Sequence, residues 1–526
     1  MLLIISINMS LKIQKSKSKI PTSKINSKMS ARSHSFNKKN NIINSFILFG
    51  CWNDIDCTNK KHPIYRDIVI QEVNREHDKL VIVAGDNWYT NSYEYKNINY
   101  KYYPYDILKS GYQLLLKNEN KFYDIILGNH DEDIDGIDTK EAKVAKNIFD
   151  RSLNKIQYSA AYKFFKGQNY IKMIKDDCML KIQKYVITNI VKKNIYFKLP
   201  LLEELKNIDS DSFRVKKVTL LTCIKNPHIK ELNEGVYVIY INTNLFDNYT
   251  YKSKYDKIAN SISTNKMIRY VKHISKLLDI YKPKLLFIAG HNPLVAYKKA
   301  KFHKLNDIYK DPDNFTVIKS LISILNKYKT IYLCADVHNF NIALINKNIG
   351  TVISGTGGAS PDYEKYEGKL NYLISPDKNI INISEHYVYN AYGYTKIKYD
   401  NDFNVYVTYK QIFNAYAYKD KAYEKSFIEK PVKYYNFVFK NTENGWLLEK
   451  TPDRTPPRTI KLDMKYLLDR KKIFCDNTTS NAKDNITSLI KRNQLVYSKN
   501  VKYTYLKNDP NTPLLCYYKA KKIKKK

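Results

Sequence analysis

The stretch Leu80-Val81-Ile82-Val83-Ala84-Gly85-Asp86-Asn87-Trp88-Tyr89 places a carboxylate and a tyrosine directly after an uninterrupted apolar run. Apolar runs rich in β-branched residues are typical of strands that are buried on both faces. Ligand-bearing residues at the ends of such strands gather at one edge of a sheet, where open α/β folds build their sites. This stretch therefore predicts an α/β fold with a polar site at a strand end.

The same pattern recurs at four other places along the chain. They are Phe49-Gly50-Cys51-Trp52-Asn53, Gly128-Asn129-His130-Asp131, Gly290-His291-Asn292-Pro293 and Cys334-Ala335-Asp336-Val337-His338. Each block follows an apolar run and offers a Cys, Asn, His or Asp side chain, all of which can bind metal ions. Their repetition in this order predicts a site that holds two metal ions.

The order and residue types of the blocks resemble those of the calcineurin-like metallophosphoesterases, and most closely the purple acid phosphatase branch. That branch is marked by Gly-Asp-x-Gly, Gly-Asp-x-x-Tyr, Gly-Asn-His-Asp/Glu, a single His and Gly-His-x-His. The block from Gly85 to Tyr89 matches the second motif fully, and Tyr89 is the residue that indicates this branch. The resemblance implies a four-layer α/β/β/α sandwich of two mixed sheets.

The resemblance also implies a role for each site residue. The first metal would be bound by Cys51, Asp86, Tyr89 and His338, and the second by Asp86, Asn129, His291 and Asp336. The catalytic residues would be His130, which contacts the substrate and protonates the leaving oxygen, and Asp131, which holds the His130 imidazole. The two metals would be Fe, Zn or Mn.

Two of these residues depart from the family pattern. Cys51 stands where the family has Asp, and Asp336 stands where it has His. Both side chains can bind metal, but together they would add a negative charge that makes a bound water less acidic. Cys51 is therefore open to several interpretations: a ligand, a buried spectator, a residue replaced by Asp54 or Asp56, or the mark of a site that has lost activity.

The composition bounds the partners and the compartment. The 526 residues carry a net charge of +38, which fits weak contact with polyanions such as nucleic acid but also fits an AT-rich coding bias. Seven scattered cysteines predict a cytoplasmic or other reducing compartment, with secretion left open. The chain has no apolar run as long as the ~18 residues of a membrane span, and its oligomeric state is unknown.

The chain divides into three predicted regions. Residues 1–43 form a disordered basic arm, residues 44–415 form the metallophosphoesterase domain, and residues 416–526 form an extension that is partly β and then Lys-rich. Residues 138–215 exceed the core and predict an insertion or cap beside the site. The strands Tyr394–Tyr399, Val405–Tyr409 and Tyr435–Phe439 alternate in polarity and predict the second sheet.

These features predict metal-dependent hydrolysis of phosphate esters, with monoesters as the expected substrates and metal-bound hydroxide as the nucleophile. Two alternatives stay open at this point. One is a phosphodiesterase or nuclease of the same superfamily, and the other is a catalytically impaired homologue that acts as a binding or structural protein.

Overall fold

The computed structural model of the chain describes residues 43–132, 170–246, 264–303, 312–370, 382–413 and 427–476, with short breaks inside these ranges, and residues 519–522. Contacts divide the chain into Met1–Phe36 and Asn37–Lys526, and every described residue lies in the second unit. The predicted basic arm, apart from residue 43, and residues 138–169 of the predicted insertion lie outside the described residues.

The strands are β1 (Ser45–Phe49), β2 (Leu80–Val83), β3 (Asn91–Tyr95), β4 (Ile98–Tyr102), β5 (Phe122–Ile126), β6 (Phe213–Val215), β7 (Val218–Leu221), β8 (His228–Asn233), β9 (Val236–Tyr240), β10 (Leu285–Ala289), β11 (Ala296–Lys298), β12 (Lys301–His303), β13 (Thr330–Cys334), β14 (Phe340–Ile345), β15 (Ile349–Ser354), β16 (Gly368–Lys369), β17 (Ile383–Tyr389), β18 (Tyr392–Tyr399), β19 (Val405–Phe413), β20 (Phe427–Thr442), β21 (Gly445–Thr451), β22 (Arg458–Asp463) and β23 (Lys519–Lys522). The helices are α1 (Tyr65–Arg75), α2 (Tyr105–Leu115), α3 (Asn129–Glu132), α4 (Tyr170–Val191), α5 (Thr264–Tyr281), α6 (Pro312–Leu325) and α7 (residues 464–476), with a 3₁₀ turn at Thr243–Phe246.

Most of these strands form two mixed sheets. The first has the order β21-β20-β19-β18-β1-β2-β5-β7-β6, with β22 paired to β20, and the second has the order β16-β17-β14-β15-β13-β10-β9-β8. Parallel pairing runs through β1, β2, β5 and β7 in the first sheet. It runs through β9, β10, β13 and β15 in the second. The parallel strands of each sheet thus end at a common edge.

Alternate residues of each central strand face different apolar layers. In β2, Ile82 lies in the cluster between the two sheets, whereas Val83 lies in the cluster under α1, α2 and α4. In β10, Phe287 lies between the sheets, whereas Ile288 lies in the cluster with α5 and α6. Burial on both faces explains why these strands are continuous apolar runs. The fold is therefore the predicted α/β/β/α sandwich.

The late strands correct one prediction about the sheets. β18, β19 and β20 were expected in the second sheet, but they extend the first, because β18 pairs antiparallel with β1 at the register Phe46↔Ile397. Their alternating polarity predicts one buried face, but it carries no information about which sheet edge receives them. β20 pairs with β19, so residues on both sides of position 415 belong to one sheet.

Two further features bear on the predicted compartment and partners. A disulfide joins Cys57 to Cys475, 418 residues apart, although the scattered cysteines predicted no pairing. This pair removes the argument from cysteine spacing for a reducing compartment. Among the residues described above, no helix is long and apolar enough to cross a membrane.

Candidate metal centre

The predicted site residues come from both sheets and meet at the carboxyl edge of the parallel strands. Cys51, Asp86 and Asn129 follow β1, β2 and β5, which are neighbours in the first sheet. His291 and Asp336 follow β10 and β13, which are neighbours in the second. Backbone hydrogen bonds join the loops: the Cys51 N–H donates to Gly85 over 3.0 Å, and the Ala335 N–H donates to His291 over 3.0 Å.

Three of the candidate ligands have backbone conformations that side chains rarely adopt. The φ angles are +49° at Cys51, +56° at Asp86 and +60° at Asp336. Each left-handed residue costs about 1–2 kcal/mol, because Cβ approaches the following carbonyl oxygen. Such conformations persist only where the surrounding structure fixes them, and they cluster at functional sites. These three costly backbone conformations therefore occur at positions that the sequence predicts as metal ligands.

The glycines of two blocks allow the loops to approach one another closely. A Cβ at Gly85, where φ is +91°, would lie 2.6 Å from His291 Nδ1 and 2.7 Å from the Gly128 nitrogen. A Cβ at Gly128 would lie 2.2 Å from Asp86 Oδ1. Side chains at either position would push Asp86 and His291 apart, which explains the Gly that precedes the ligand in these motifs.

One group of donor atoms surrounds the Oδ2 atom of Asp86. Cys51, Asp86 and His338 each offer a ligand atom within 4.8 Å of the others. The Cys51 thiol donates to Asp86 Oδ2 over 3.6 Å, and the Tyr89 hydroxyl donates to the same oxygen over 2.9 Å. Tyr89 Oη also lies 3.4 Å from His338 Nε2. These are the residues that the sequence assigned to the first metal.

A second group surrounds the other oxygen of the same carboxylate. His291 Nε2 lies 3.2 Å from Asp86 Oδ1, 2.8 Å from Asn129 Oδ1 and 3.6 Å from Asp336 Oδ1. All of these side chains are buried, Asp336 at 9% exposure. Asp86 thus presents one oxygen to each group, as a carboxylate that bridges two cations would.

Both histidines proposed as ligands, His291 and His338, are oriented by main-chain carbonyls. The Nδ1–H of His291 donates to Ala84 O over 2.7 Å, and the Nδ1–H of His338 donates to Ser360 O over 2.7 Å. Because a carbonyl oxygen only accepts, each contact places a hydrogen on Nδ1 and directs Nε2 toward the other donor atoms. A second partner of this kind is characteristic of metal-binding histidines.

Burial and neighbouring charges shift the pKa values of four side chains in the site. Burial raises the pKa of the Cys51 thiol well above its usual value, and the charges of Asp86 and Asp336 raise it further. Burial and Asp86 act in the same direction on the pKa of Tyr89. Burial opposes charge on His291, but Asp86 outweighs it and raises the pKa of His291 to about 9. The pKa of Asp86 is lowered despite burial, because His291 and His130 stabilise the carboxylate.

Among the described residues, the ligand atoms of Cys51, Asp86 and His338 lie close enough together to hold a metal ion. Bonds of about 2.0–2.1 Å in tetrahedral geometry separate ligand atoms by about 3.3–3.4 Å, and the contacts of His291 Nε2 lie on both sides of this value, at 2.8–3.6 Å. Cys51 lies in the first group, and the charge of Asp54 contributes to raising the pKa of Tyr89 in that group. Asp56, the other predicted replacement for Cys51, lies outside the described residues.

The two predicted catalytic residues lie beside these groups. The His130 N–H donates to Asp86 Oδ1 over 3.1 Å, and its half-buried ring packs 4.4 Å from the Tyr89 ring, centroid to centroid. Asp131 is buried, and its carboxylate accepts the backbone N–H groups of Gly128 and Asn87. The hydrogen bond expected between Asp131 and the His130 imidazole stays a prediction.

The structure also reveals supporting residues that the sequence analysis missed. Thr243 Oγ1 accepts the N–H groups of His291 and Asn292 over 3.0 and 2.8 Å, which fixes the loop after β10. The Asn87 side chain accepts the Trp52 Nε1–H over 3.0 Å and so ties the first block to the second. Thr243 follows the apolar strand β9 as the ligands follow theirs, so the same strand-end pattern was available as a signal.

Comparisons with known proteins give a distant similarity of fold. No protein-family model and no curated protein matches the chain. One similar solved structure, described as "GAP50 the anchor in the inner membrane complex of Plasmodium", has 8% identity and a TM-score of 0.34 over 70% of this chain and 84% of that chain. Another, described as "Structure of PhoD", has 10% identity and a TM-score of 0.41 over 86% of this chain and 79% of that chain. The function is therefore argued from the site itself.

Proposed function

We propose that the chain hydrolyses phosphate esters, with monoesters as the preferred substrates, at a centre of two metal ions. The observation that carries the proposal is the carboxylate of Asp86, whose two oxygens face two different sets of donor atoms. A site for a single metal would not need one carboxylate shared between two convergent groups of donor atoms.

We propose the same division of residues between two ions as the sequence analysis predicts. Cys51, Tyr89 and His338 would complete one ion, and Asn129, His291 and Asp336 would complete the other, with Asp86 shared. When bound, Fe, Zn or Mn ions would offset the negative charge of the phosphate and lower the pKa of a water molecule toward neutrality. The mixture of thiolate, carboxylate and imidazole donors does not select one of these metals.

The proposed roles of the chain's own groups follow from their positions. His130 is only half-buried and lies against Tyr89, where its imidazole would reach the leaving oxygen and donate a proton to it. We propose that water attacks the phosphorus directly, without a covalent intermediate. When both bind metal as anions, Cys51 and Asp336 would add negative charge that disfavours an anionic substrate, and this favours a second candidate, a metal-binding protein with little turnover.

Turnover assays on the full-length protein test the proposal. The wild type, His291→Ala and the exposed control His77→Ala would be compared on p-nitrophenyl phosphate and bis(p-nitrophenyl) phosphate after addition of Zn, Fe or Mn. We expect the wild type to prefer the monoester, His291→Ala to lose at least about 100-fold in kcat/KM, and His77→Ala to keep its activity.

Three other outcomes are informative. Preference for the diester would replace the phosphatase proposal with a phosphodiesterase. Metal binding without turnover would favour the impaired homologue. Equal turnover in His291→Ala and the wild type would show that the activity does not arise at this site.

A further inference from the structure

The buried side chain of Gln183 connects the long helix α4 to the candidate metal centre. Gln183 lies on α4, which belongs to the stretch predicted as an insertion into the core. Its Nε2–H donates to Asp131 Oδ1 over 2.9 Å, and its Oε1 accepts the hydroxyl of Tyr112 on α2 over 2.7 Å. Both polar ends of the amide are thus paired, so its orientation is fixed.

Asp131 connects Gln183 by hydrogen bonds to the loops that hold two of the proposed ligands. Its Oδ2 atom accepts the backbone N–H of Gly128 over 2.8 Å and the side-chain amide of Asn87 over 2.9 Å. The backbone N–H of Asn87 lies 3.0 Å from each carboxylate oxygen. Asn87 follows Asp86 and Gly128 precedes Asn129, so one buried carboxylate spans the two ligand loops.

Apolar packing around Gln183 holds its side chain in place. Leu180, Ile182, Val186 and Ile187 of α4 lie in the same apolar cluster as Tyr112 and Trp52. Gln183 itself is fully buried, at 0% exposure. A buried amide costs stability unless both of its ends are bonded. Its placement among apolar residues is therefore explained by the hydrogen bonds that it makes.

We propose, resting on the function proposed above, that Gln183 is a positioning residue that fixes the spacing of Asp86 and Asn129 through Asp131. The insertion is then part of the metal centre rather than a separate cap. Partners that orient ligands from behind typically contribute about 10–100-fold to metal affinity, so loss of the Gln183 amide should weaken metal binding by about 10-fold.

The test compares three variants of the full-length chain. Gln183→Met keeps the length and packing of the side chain but removes both hydrogen bonds. Tyr112→Phe removes only the hydrogen bond from the Tyr112 hydroxyl to Gln183 Oε1. Ile187→Ala lies one turn further along the same helix and weakens its packing without touching the network. Zn(II) affinity of metal-free protein would be measured by competition with a chromogenic chelator, alongside Tm and amide exchange at Gly128 and Asn87.

We expect Gln183→Met to weaken Zn(II) binding about 10-fold and to speed amide exchange at Gly128 and Asn87. Tyr112→Phe should have a smaller effect, and Ile187→Ala should lower Tm while keeping the wild-type affinity. Wild-type affinity in Gln183→Met, whatever its Tm, would overturn the positioning role alone. A wild-type chain that binds none of Zn(II), Fe(II) and Mn(II) would overturn both this role and the proposed function.

Discussion

Cys51 is the candidate ligand whose role the sequence leaves most open and to which the structure adds most. Its sequence context allows four interpretations: a ligand, a buried spectator, a residue replaced by Asp54 or Asp56, or the mark of a site that has lost activity. The structure places its sulfur 3.6 Å from Asp86 Oδ2, in one group with His338, at a left-handed backbone position. Burial and two carboxylates raise its pKa, so only a cation close to the sulfur would release the proton.

Cobalt substitution tests whether Cys51 becomes a ligand. Protein loaded with Co(II) should show an intense near-ultraviolet charge-transfer band from sulfur to metal, since thiolate coordination produces such a band. Cys51→Ser should lose the band. The control Cys334→Ser, which alters a buried free cysteine at the end of β13, should retain it. A band that survives in Cys51→Ser would assign Cys51 the spectator role.

Gly85 provides a second test at the residue scale, with a matched control in Gly368. Both have positive φ, at +91° and +112°, but a Cβ at Gly85 would meet His291 and Gly128 whereas a Cβ at Gly368 would meet nothing within 4 Å. Gly368→Ala should therefore lower the free energy of unfolding by only the cost of a left-handed backbone conformation, about 1–2 kcal/mol. Gly85→Ala should cost about 1–3 kcal/mol more from overpacking.

Urea unfolding followed by circular dichroism would measure both free energies of unfolding. Metal content of the two variants should differ as well, because the added methyl at Gly85 separates ligand loops. Equal stability and equal metal content in the two variants would show that the close approach at Gly85 is not needed.

At the scale of elements, the sequence predicted strand ends and missed long-range partners. Local apolar runs were enough to locate β1, β2, β5, β10 and β13 and the candidate ligands after them. They could not show that β18 joins β1, because alternation identifies a buried face and not a neighbour. The contact between Gln183 and Asp131 could not be predicted for the same reason: 52 residues separate them, and no local pattern marks it.

The long-range contacts of helix α7 could not be predicted from the sequence either, and they lead to a separate test. Its Cys475 is joined to Cys57 in the loop after β1, and its Arg470 lies 2.8 Å from Asp67 of α1. The disulfide closes a very long loop, and removal of such bridges typically costs about 2–5 kcal/mol. Cys475→Ser should therefore lower the free energy of unfolding by that amount.

The control for this prediction is reductant. Dithiothreitol should lower the stability of the wild type to that of Cys475→Ser and should leave the variant unchanged. A wild type that is indifferent to dithiothreitol and equal in stability to Cys475→Ser would show that the bridge does not form in solution.

At the scale of the whole molecule, the sandwich explains why five separated blocks become one site. The parallel strands of both sheets end at the same edge, so residues from Cys51 to His338 converge although they span most of the domain. The basic charge of +38 lies outside this explanation, and contact with polyanions stays a prediction from composition.

The central claim is that Asp86 bridges two metal ions, and anomalous diffraction tests it most directly. Crystals of the protein grown with Zn(II) or Mn(II) would be measured at the absorption edge of the metal. We predict two anomalous peaks about 3.5–4 Å apart, one beside Cys51, Tyr89 and His338 and the other beside Asn129, His291 and Asp336. A single peak, or peaks that do not share the Asp86 carboxylate, would contradict the claim.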